Sequence, residues 1–502
     1  MKTGSRHVFI AACLLLAAGP MAVGTHGAER PNIVIILCDD LGWGDLECYG
    51  HPAIKTPHLN RMAAEGIRFT RFYSASPVCS PSRAGLLTGR TPNRAGIYDW
   101  IPPRNLNPPG YYQRSVTELR ATEITFPRLL KQAGYATCMS GKWHCNSAFN
   151  SPTQAQPDDH GFDHWFATQN NAAPSHENPV NFVRNGRPAG PLEGFSCQIV
   201  AGEAIQWLRR QQAANPQQPF LIHIAFHEPH EPVASPPGLV RRYEDSNAAR
   251  NHDEAQYFAN VENVDLAVGQ FLDALKELEL AKNTLVIFTS DNGPETLKRY
   301  PRGTRSYGRP GPSRGMKLHT HEGGYRVAGI MRWPQRITPG QVSQEPVCSL
   351  DFLPTFAALA KTPLPQDLLL DGTSFLPALE GRPIRRELPL FWFYYNALNE
   401  AKVALIDDGW KILAQLGDPQ QPGRRLPNLE HVNTANADRA RGASLMHFEL
   451  YDLRHDIAER RNRADEAPER LAAMREKLEN RYRDVLRTQH IWPVLPSPTN
   501  AE

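Results

Sequence analysis

"NIVIILCDD", residues 32–40, is an apolar run of strand length that ends on two aspartates. A run with so little polar alternation suits a strand covered on both faces, which means a parallel sheet between layers of helix. The same pattern returns in "YATCMS" (135–140), "FLIHIAF" (220–226) and "TLVIFTS" (284–290), with helical segments between. In "EAQYFANVENVDLAVGQFLDALKEL" (254–278), Phe258, Val261, Leu266, Val268, Phe271, Leu272 and Leu275 fall near helical spacing and most should be core. The expected fold class is α/β, a mostly parallel sheet sandwiched by helices.

Each of these strands runs into polar residues able to do chemistry. They are Asp39-Asp40, then Gly141-Lys142-Trp143-His144, then His227-Glu228-Pro229-His230, then Asp291-Asn292-Gly293. Open parallel sheets bind ligands beyond the carboxyl ends of their strands, so four strands deliver these groups to one edge. Asp39, Asp40, Asp291 and Asn292 offer only oxygen, a set that suits calcium or magnesium and not zinc. Either pair alone reads as an ordinary turn; both at one sheet edge favour a metal. Lys142, His144, His230 and Lys317 of "RGMKLHTHEGG" add cationic and proton-transferring groups. Only one histidine of "HEPH" need face the site, and His319 and His321 read as structural. A zinc-protease reading fails, because H-E-x-x-H requires a helix and Pro229 and Pro232 oppose one.

The chain's 502 residues, 41% hydrophobic, can bury a large core. Its 55 Lys+Arg against 52 Asp+Glu give a formal charge of +3, which predicts neither nucleic-acid nor membrane-surface binding. Residues 1–28 read as a signal peptide: Lys2 and Arg6, an apolar run from Val8 to Gly19, then small residues, with cleavage after Gly24 or Ala28. A lipoprotein reading of Cys13 is weakened by the apolar run lying mostly after it. No other stretch approaches a membrane span, so the expectation is an exported protein, periplasmic or secreted. Eight cysteines are too sparse for a disulfide scaffold and leave any pairing open. Residues 362–390 are rich in proline and turns, which sets a boundary between a catalytic domain, 29–384, and a smaller C-terminal part, 385–502. There "KVALI", "WKILAQL" and "HFELYDL" suggest a small antiparallel sheet, followed by a helix with Leu471, Met474, Leu478, Tyr482 and Val485 in a packing stripe.

In "CSPSRAGLLTG", residues 79–89, Ser80 can cap a helix, Pro81 can open it and Gly89 can end it. Cys79 then precedes a helix N-terminus, where an anion is favoured, with Arg83 one turn on. The bland alternative is a buried structural cysteine. The Cys-to-Arg spacing is too short for a cysteine-phosphatase loop.

This segment resembles the C-x-P-S-R-x-x-x-L-T-G signature of the type I sulfatases in the alkaline phosphatase superfamily. "PNIVIILCDDLGWGD", "TPHLNRMAAEGIRFTRFY", "GKWH", "HGFDHWF", "TSDNGPE", "EGGYRVAGIMRWP" and "ELYDL" also resemble family segments, in order. The resemblance implies an alkaline phosphatase-like fold, a large mixed, mostly parallel sheet plus a small C-terminal antiparallel sheet with a helix. It implies that a formylglycine-generating maturation enzyme reads C-x-P-x-R and converts Cys79 to Cα-formylglycine, whose hydrate attacks sulfur, expels the alcohol and then releases sulfate. Asp39, Asp40, Asp291 and Asn292 match the family's calcium ligands, with magnesium the other hard cation. Arg83 matches the arginine that stabilises the hydrate, and Lys142 and Lys317 the lysines that neutralise sulfate. His144 matches the base, and His230 the group that protonates the leaving alcohol. Lys317 is succeeded by "LHTHEGG", where the family pattern has small residues and threonines. Asn60 and Cys145 also replace the usual aspartate and leucine.

The run of motifs is similar to the arylsulfatase A and N-acetylgalactosamine-6-sulfatase branch, which implies a sulfated galactose or N-acetylgalactosamine unit and, in a eukaryote, a lysosomal-type compartment. Residues 298–314 carry Lys298, Arg299, Arg302, Arg305, Arg309 and Arg314 with no acidic residue, a loop suited to an anionic glycan or simply solvated. The competing readings are a phosphate or phosphonate monoester hydrolase on the same fold and a non-catalytic sulfoglycan-binding protein.

Overall fold

Five parallel strands form the centre of an eleven-stranded sheet in the computed structural model, which describes Met1, Gly4 and residues 30–104, 114, 116–299 and 305–494. In spatial order they are Thr284–Ser290, Asn32–Asp39, Phe220–Pro229, Ala136–Lys142 and His164–Thr168. Arg326–Arg332 joins Thr284–Ser290 antiparallel, then Ile67–Tyr73 comes next, so the sheet is mixed but mostly parallel. The proposed signal segment lies outside the described residues apart from Met1 and Gly4. No helix among the described residues is long and apolar enough to cross a membrane.

The Asn32–Asp39 strand shows why the sheet is buried twice over. Its Ile33, Ile35 and Leu37 pack on one face with Leu86, Leu87, Phe352 and Phe356. Val34, Ile36 and Cys38 pack on the other with Val261, Val268, Phe271 and Leu275 of the long helix His252–Glu277. A period of two puts alternate residues on opposite faces, and here both faces are core. Leu266 is the exception to the expected helix stripe: it is exposed, because the residues around it already fill the inward face.

A second sheet holds four antiparallel strands, Leu390–Tyr394, Lys402–Asp407, Trp410–Gly417 and Ser444–Asp452, and the helix Pro468–Thr488 comes after it in the chain. Met474, Leu478, Tyr482 and Val485 of that helix are buried as the stripe predicts, while Leu471 is only partly covered. The strand Leu390–Tyr394, "LFWFY", is not anticipated from sequence, because its proline-rich approach masks it. The seven described cysteines, Cys38, Cys48, Cys79, Cys138, Cys145, Cys197 and Cys348, are all free thiols.

Candidate active site

Strand register brings the acidic ends together. Cys38 pairs with Ser290 and Asp39 with Pro229, so Asp39-Asp40, Asp291-Asn292 and His230 leave the sheet side by side. All are buried. The Asp40 backbone N–H donates to Asp291 Oδ1 at 3.3 Å, and Asn292 Nδ2 donates to Asp40 Oδ1 at 2.7 Å. Lys142 Nζ lies 2.5 Å from Asp39 Oδ2, Lys317 Nζ lies 2.7 Å from Asp40 Oδ2, and Arg83 donates to Asp291 Oδ2 at 2.9 Å. The three carboxylates of Asp39, Asp40 and Asp291 thus face the three cations Lys142, Lys317 and Arg83. Burial would push Asp39 up, but Lys142, His230 and Arg83 outweigh it and hold its carboxyl well below the usual range. Burial and the neighbouring Asp39 push Asp291 up.

The helix predicted around Cys79 spans Cys79–Thr88 and ends at Gly89 in the left-handed region, φ 66°. Its start lies two residues earlier than expected. Val78 is the capping position, Cys79 is already helical, and Ser80 Oγ accepts from the Ile101 N–H instead of capping. Arg83 also donates to the Lys142 carbonyl at 2.8 Å, tying this helix to the neighbouring strand end. Burial pushes the Cys79 thiol up to about 11 against the pull of Lys142 and Lys317, so the unmodified side chain is a thiol at neutral pH.

The two histidine assignments separate cleanly. His144 Nε2 contacts the Ile101 carbonyl at 3.0 Å, a donor role that leaves Nδ1 as the basic atom; Nδ1 is buried and has no hydrogen-bond partner among the described residues. Burial, then Lys142 and Arg83, hold this imidazole well below its ordinary value and therefore neutral. His230 Nδ1 meets the Glu231 carbonyl at 2.6 Å, which leaves Nε2 facing Asp40 Oδ2 at 3.6 Å. His227 turns away, bonded to Thr168 Oγ1 at 2.8 Å and packed on Phe182. His321 is buried and accepts from Asn399, as a structural histidine does.

Sequence reasoning missed Asn171. Its Oδ1 accepts from Lys142 at 3.1 Å while its Nδ2 donates to the Glu231 carbonyl at 3.1 Å, so one amide bridges the lysine and the His230 segment. It lines a cavity of about 710 Å³ with Arg104, Gln169 and Asn170. Tyr394, from the small sheet, is also missed; it packs with Val78 and Cys79 beside Trp100 and Leu318.

These residues fit a divalent cation. Asp39 Oδ1 and Asn292 Oδ1 are buried with no hydrogen-bond partner among the described residues, an expensive state unless a cation takes them. Asp39, Asp40 and His230 also bring ligand atoms within 4.8 Å of one another. The oxygen set with Asp291 and Asn292 suits a hard cation better, since calcium and magnesium prefer oxygen ligands to an imidazole nitrogen.

The family description "Sulfatase" matches residues 31–362, and "N-sulphoglucosamine sulphohydrolase, C-terminal" matches residues 316–419. The chain is 37% identical over 403 residues to N-acetylgalactosamine-6-sulfatase of Canis lupus familiaris, covering 77% of this chain and 73% of that one. It is 33% identical over 468 residues to steryl-sulfatase of Mus musculus, covering 77% and 71%. The crystal structure of Ps i-CgsB superposes with a TM-score of 0.75 at 24% identity, over 92% of this chain and 95% of that chain, a likeness of fold.

Proposed function

The chain belongs to the sulfatase family and is a sulfuric ester hydrolase, and we propose that it removes sulfate from a glycan of galactose or N-acetylgalactosamine type after Cys79 is converted to formylglycine. The observation that carries this reading is the convergence, at one buried strand edge, of Cys79, an oxygen-only ligand set and two lysines. Asp39, Asp40, Asp291 and Asn292 would hold the cation, calcium first and magnesium second. A cation bound there supplies Lewis acidity, lowering the cost of ionising the nucleophilic hydroxyl. Three carboxylates balance three cationic side chains in this site, so a divalent ion leaves an excess of positive charge, which favours a sulfate ester.

The side chains then divide the work. Lys142 and Lys317 contact different carboxylates of the acidic cluster, one Asp39 and the other Asp40, and present ammonium groups to sulfate oxygens. Arg83 locks Asp291 and the end of the Lys142 strand, and so orients the helix that carries residue 79. His144 holds its proton at Nε2 against Ile101 and offers Nδ1 as the base. His230, held at Nδ1 by the Glu231 carbonyl, carries the proton for the leaving alcohol at Nε2. The amide-lined cavity beside Asn171 receives the sugar that departs. Residues 1–28 direct export.

Peptide mass spectrometry of the fragment containing Cys79, on protein made with a maturation enzyme, tests the nucleophile. An aldehyde is expected, with hydrolysis of an aryl sulfate much faster than of the matched phosphate. An aldehyde with phosphate preferred makes the chain a phosphate monoester hydrolase. A plain thiol with no turnover makes it a sulfoglycan-binding protein.

A further inference from the structure

A second cavity, of about 490 Å³, lies at the same edge of the sheet and plays no part in the site described above. Its walls include His51, Arg250, Glu254, Arg305, Tyr307 and Arg309. The long helix His252–Glu277 precedes the Thr284–Ser290 strand and runs back along it, so its start stands at the strands' carboxyl edge.

The lining is cationic in an unbalanced way. Arg250 is paired with Glu254 at 2.7 Å, which also silences the one carboxylate there. Arg305 and Arg309 are exposed, and neither guanidinium has an ion pair among the described residues. They differ from their neighbours in the basic loop, since Arg299 pairs with Glu295 and Arg314 donates to the Glu459 carbonyl. Arg302 lies outside the described residues. Arg305 and Arg250 each lie over the Tyr307 ring, at 5.1 and 5.7 Å, which holds both planar cations at the pocket wall.

His51 supplies a further donor. Its Nδ1 accepts from the backbone N–H groups of Ala53 at 3.2 Å and Ile54 at 2.8 Å, so the ring proton is on Nε2. Nε2 is buried and has no hydrogen-bond partner among the described residues, in a side chain only 4% exposed. Burial, then Arg309, hold this imidazole down to about 4, so it stays neutral and keeps that tautomer.

The pocket is coupled to the sulfate site through its wall. Ser306 Oγ donates to Glu231 Oε2 at 3.0 Å, and Glu231 is the residue whose carbonyl holds His230. On the other side, the Arg309 N–H donates to Asp45 Oδ1 at 2.8 Å, five residues after Asp40 in the chain. Both walls are therefore fixed to the segments that build the reaction centre.

We propose that this pocket is a second anion subsite, which takes a sulfate or carboxylate group carried on a sugar unit other than the one being desulfated. Unpaired guanidinium forks beside an aromatic ring and a buried donor match an anionic sugar better than a neutral one. The proposal rests on the reading of the chain as a glycan sulfatase.

The test compares the parent with Arg305→Gln/Arg309→Gln, two exposed positions whose loss leaves the core intact. Three substrates are used: 4-nitrophenyl sulfate, a monosulfated galactan oligosaccharide and a multiply sulfated one of equal length. The expected result is a loss in kcat/KM of about tenfold or more on the multiply sulfated chain, mostly in KM, with the other two unchanged. A kcat/KM unchanged from the parent on all three substrates, or an equal loss on both oligosaccharides, overturns the proposal. Binding to the Cys79→Ala protein by calorimetry reads the pocket without turnover, and the arginine pair should weaken the multiply sulfated ligand by a similar factor. If inorganic sulfate alone loses binding in the double variant while the oligosaccharide does not, the pocket serves the free anion and the proposal falls. A parent with converted residue 79 that cleaves none of the three esters overturns the underlying sulfatase reading instead.

Discussion

Lys411→Met should destabilise the protein although Lys411 is far from Cys79 in sequence. The Lys411 amine, fully buried, lies 3.1 Å from Glu322 Oε1 and 2.8 Å from Glu459 Oε1, and 4.7 Å over the Tyr325 ring. Glu459 Oε2 in turn accepts from the Glu322 N–H at 2.7 Å, and Tyr73 OH donates to Glu322 at 3.0 Å. Methionine keeps the volume, so no cavity opens; what remains is two buried carboxylates without their cation. Breaking a buried pair from one side costs about 3–5 kcal/mol. Residues 31–502 form one compact unit; at roughly 2.1 cal/mol/K per residue its unfolding entropy is about 1 kcal/mol/K, so the melting temperature should drop by about 3–5 °C. Scanning fluorimetry measures this directly. The double variant Lys411→Met/Glu459→Gln should recover part of the loss, because one of the two stranded charges is gone. A single variant melting within about 1 °C of the parent, or a double variant melting below the single one, refutes the reasoning. Activity should fall as well, since the Gly324 carbonyl, in the same Glu322–Tyr325 turn, accepts from the Gly293 N–H at 2.9 Å beside Asn292.

Chelation should abolish turnover, calcium should restore it, and an ion at a hundredfold excess over its Kd, worth about 2.7 kcal/mol, should raise the melting temperature by about 3 °C; full activity after exhaustive dialysis against chelator would remove the metal from the scheme. Asn171→Ala should cut kcat/KM on an aryl sulfate by about tenfold or more with little change in melting, because it frees Lys142 and the Glu231 carbonyl without emptying the core; unchanged kinetics would show the bridge to be idle. Asp371→Asn should lower the melting temperature at neutral pH, since the carboxylate is buried between Arg94, at 3.0 Å, and Arg481. Burial would raise the Asp371 carboxyl, but Arg94 and Arg481 win and hold it below its usual value of 3.8. Its contribution is therefore complete above that pH and is lost as pH falls through the lower folded value. The parent should lose more stability on acidification than the variant does, and parallel melting curves from pH 6 to pH 3 would contradict this.

Four of the five central strands were legible because each is an uninterrupted apolar run, and the metal and histidine candidates were legible because each comes directly after such a run. The runs do not encode which of two nearby histidines faces inward. His227 and His230 are three residues apart, and only the last residues of the Phe220–Pro229 strand, with the turn beyond, send one to Thr168 and the other to Asp40. Asn171 was invisible for a different reason. It sits in "TQNN", a polar stretch with no periodicity, and its role depends on the Lys142 strand end packed beside it.

Backbone conformation was the least legible feature, and it bears most on the chemistry. Asp40, His144 and Leu318 adopt φ of 65°, 53° and 66°, a region that costs non-glycine residues energy, most of all a bulky one such as leucine. No propensity reading would place them there. Each adjoins or belongs to the candidate site: Asp40 is a proposed ligand, His144 the proposed base, and Leu318 comes directly after Lys317. The compensation comes from contacts remote in sequence. The Leu318 N–H donates to the Pro77 carbonyl at 2.8 Å, and the Lys317 N–H to the Pro294 carbonyl at 2.9 Å. Gly293 can approach so closely that a Cβ there would lie 1.9 Å from the Gly323 carbonyl oxygen, so only glycine lets the two loops meet. Strain at Leu318 is thus borne by the segments that carry Cys79 and Asn292, which fixes Lys317 relative to both. Local sequence preference and global packing disagree at these positions, and the site is assembled where packing prevails.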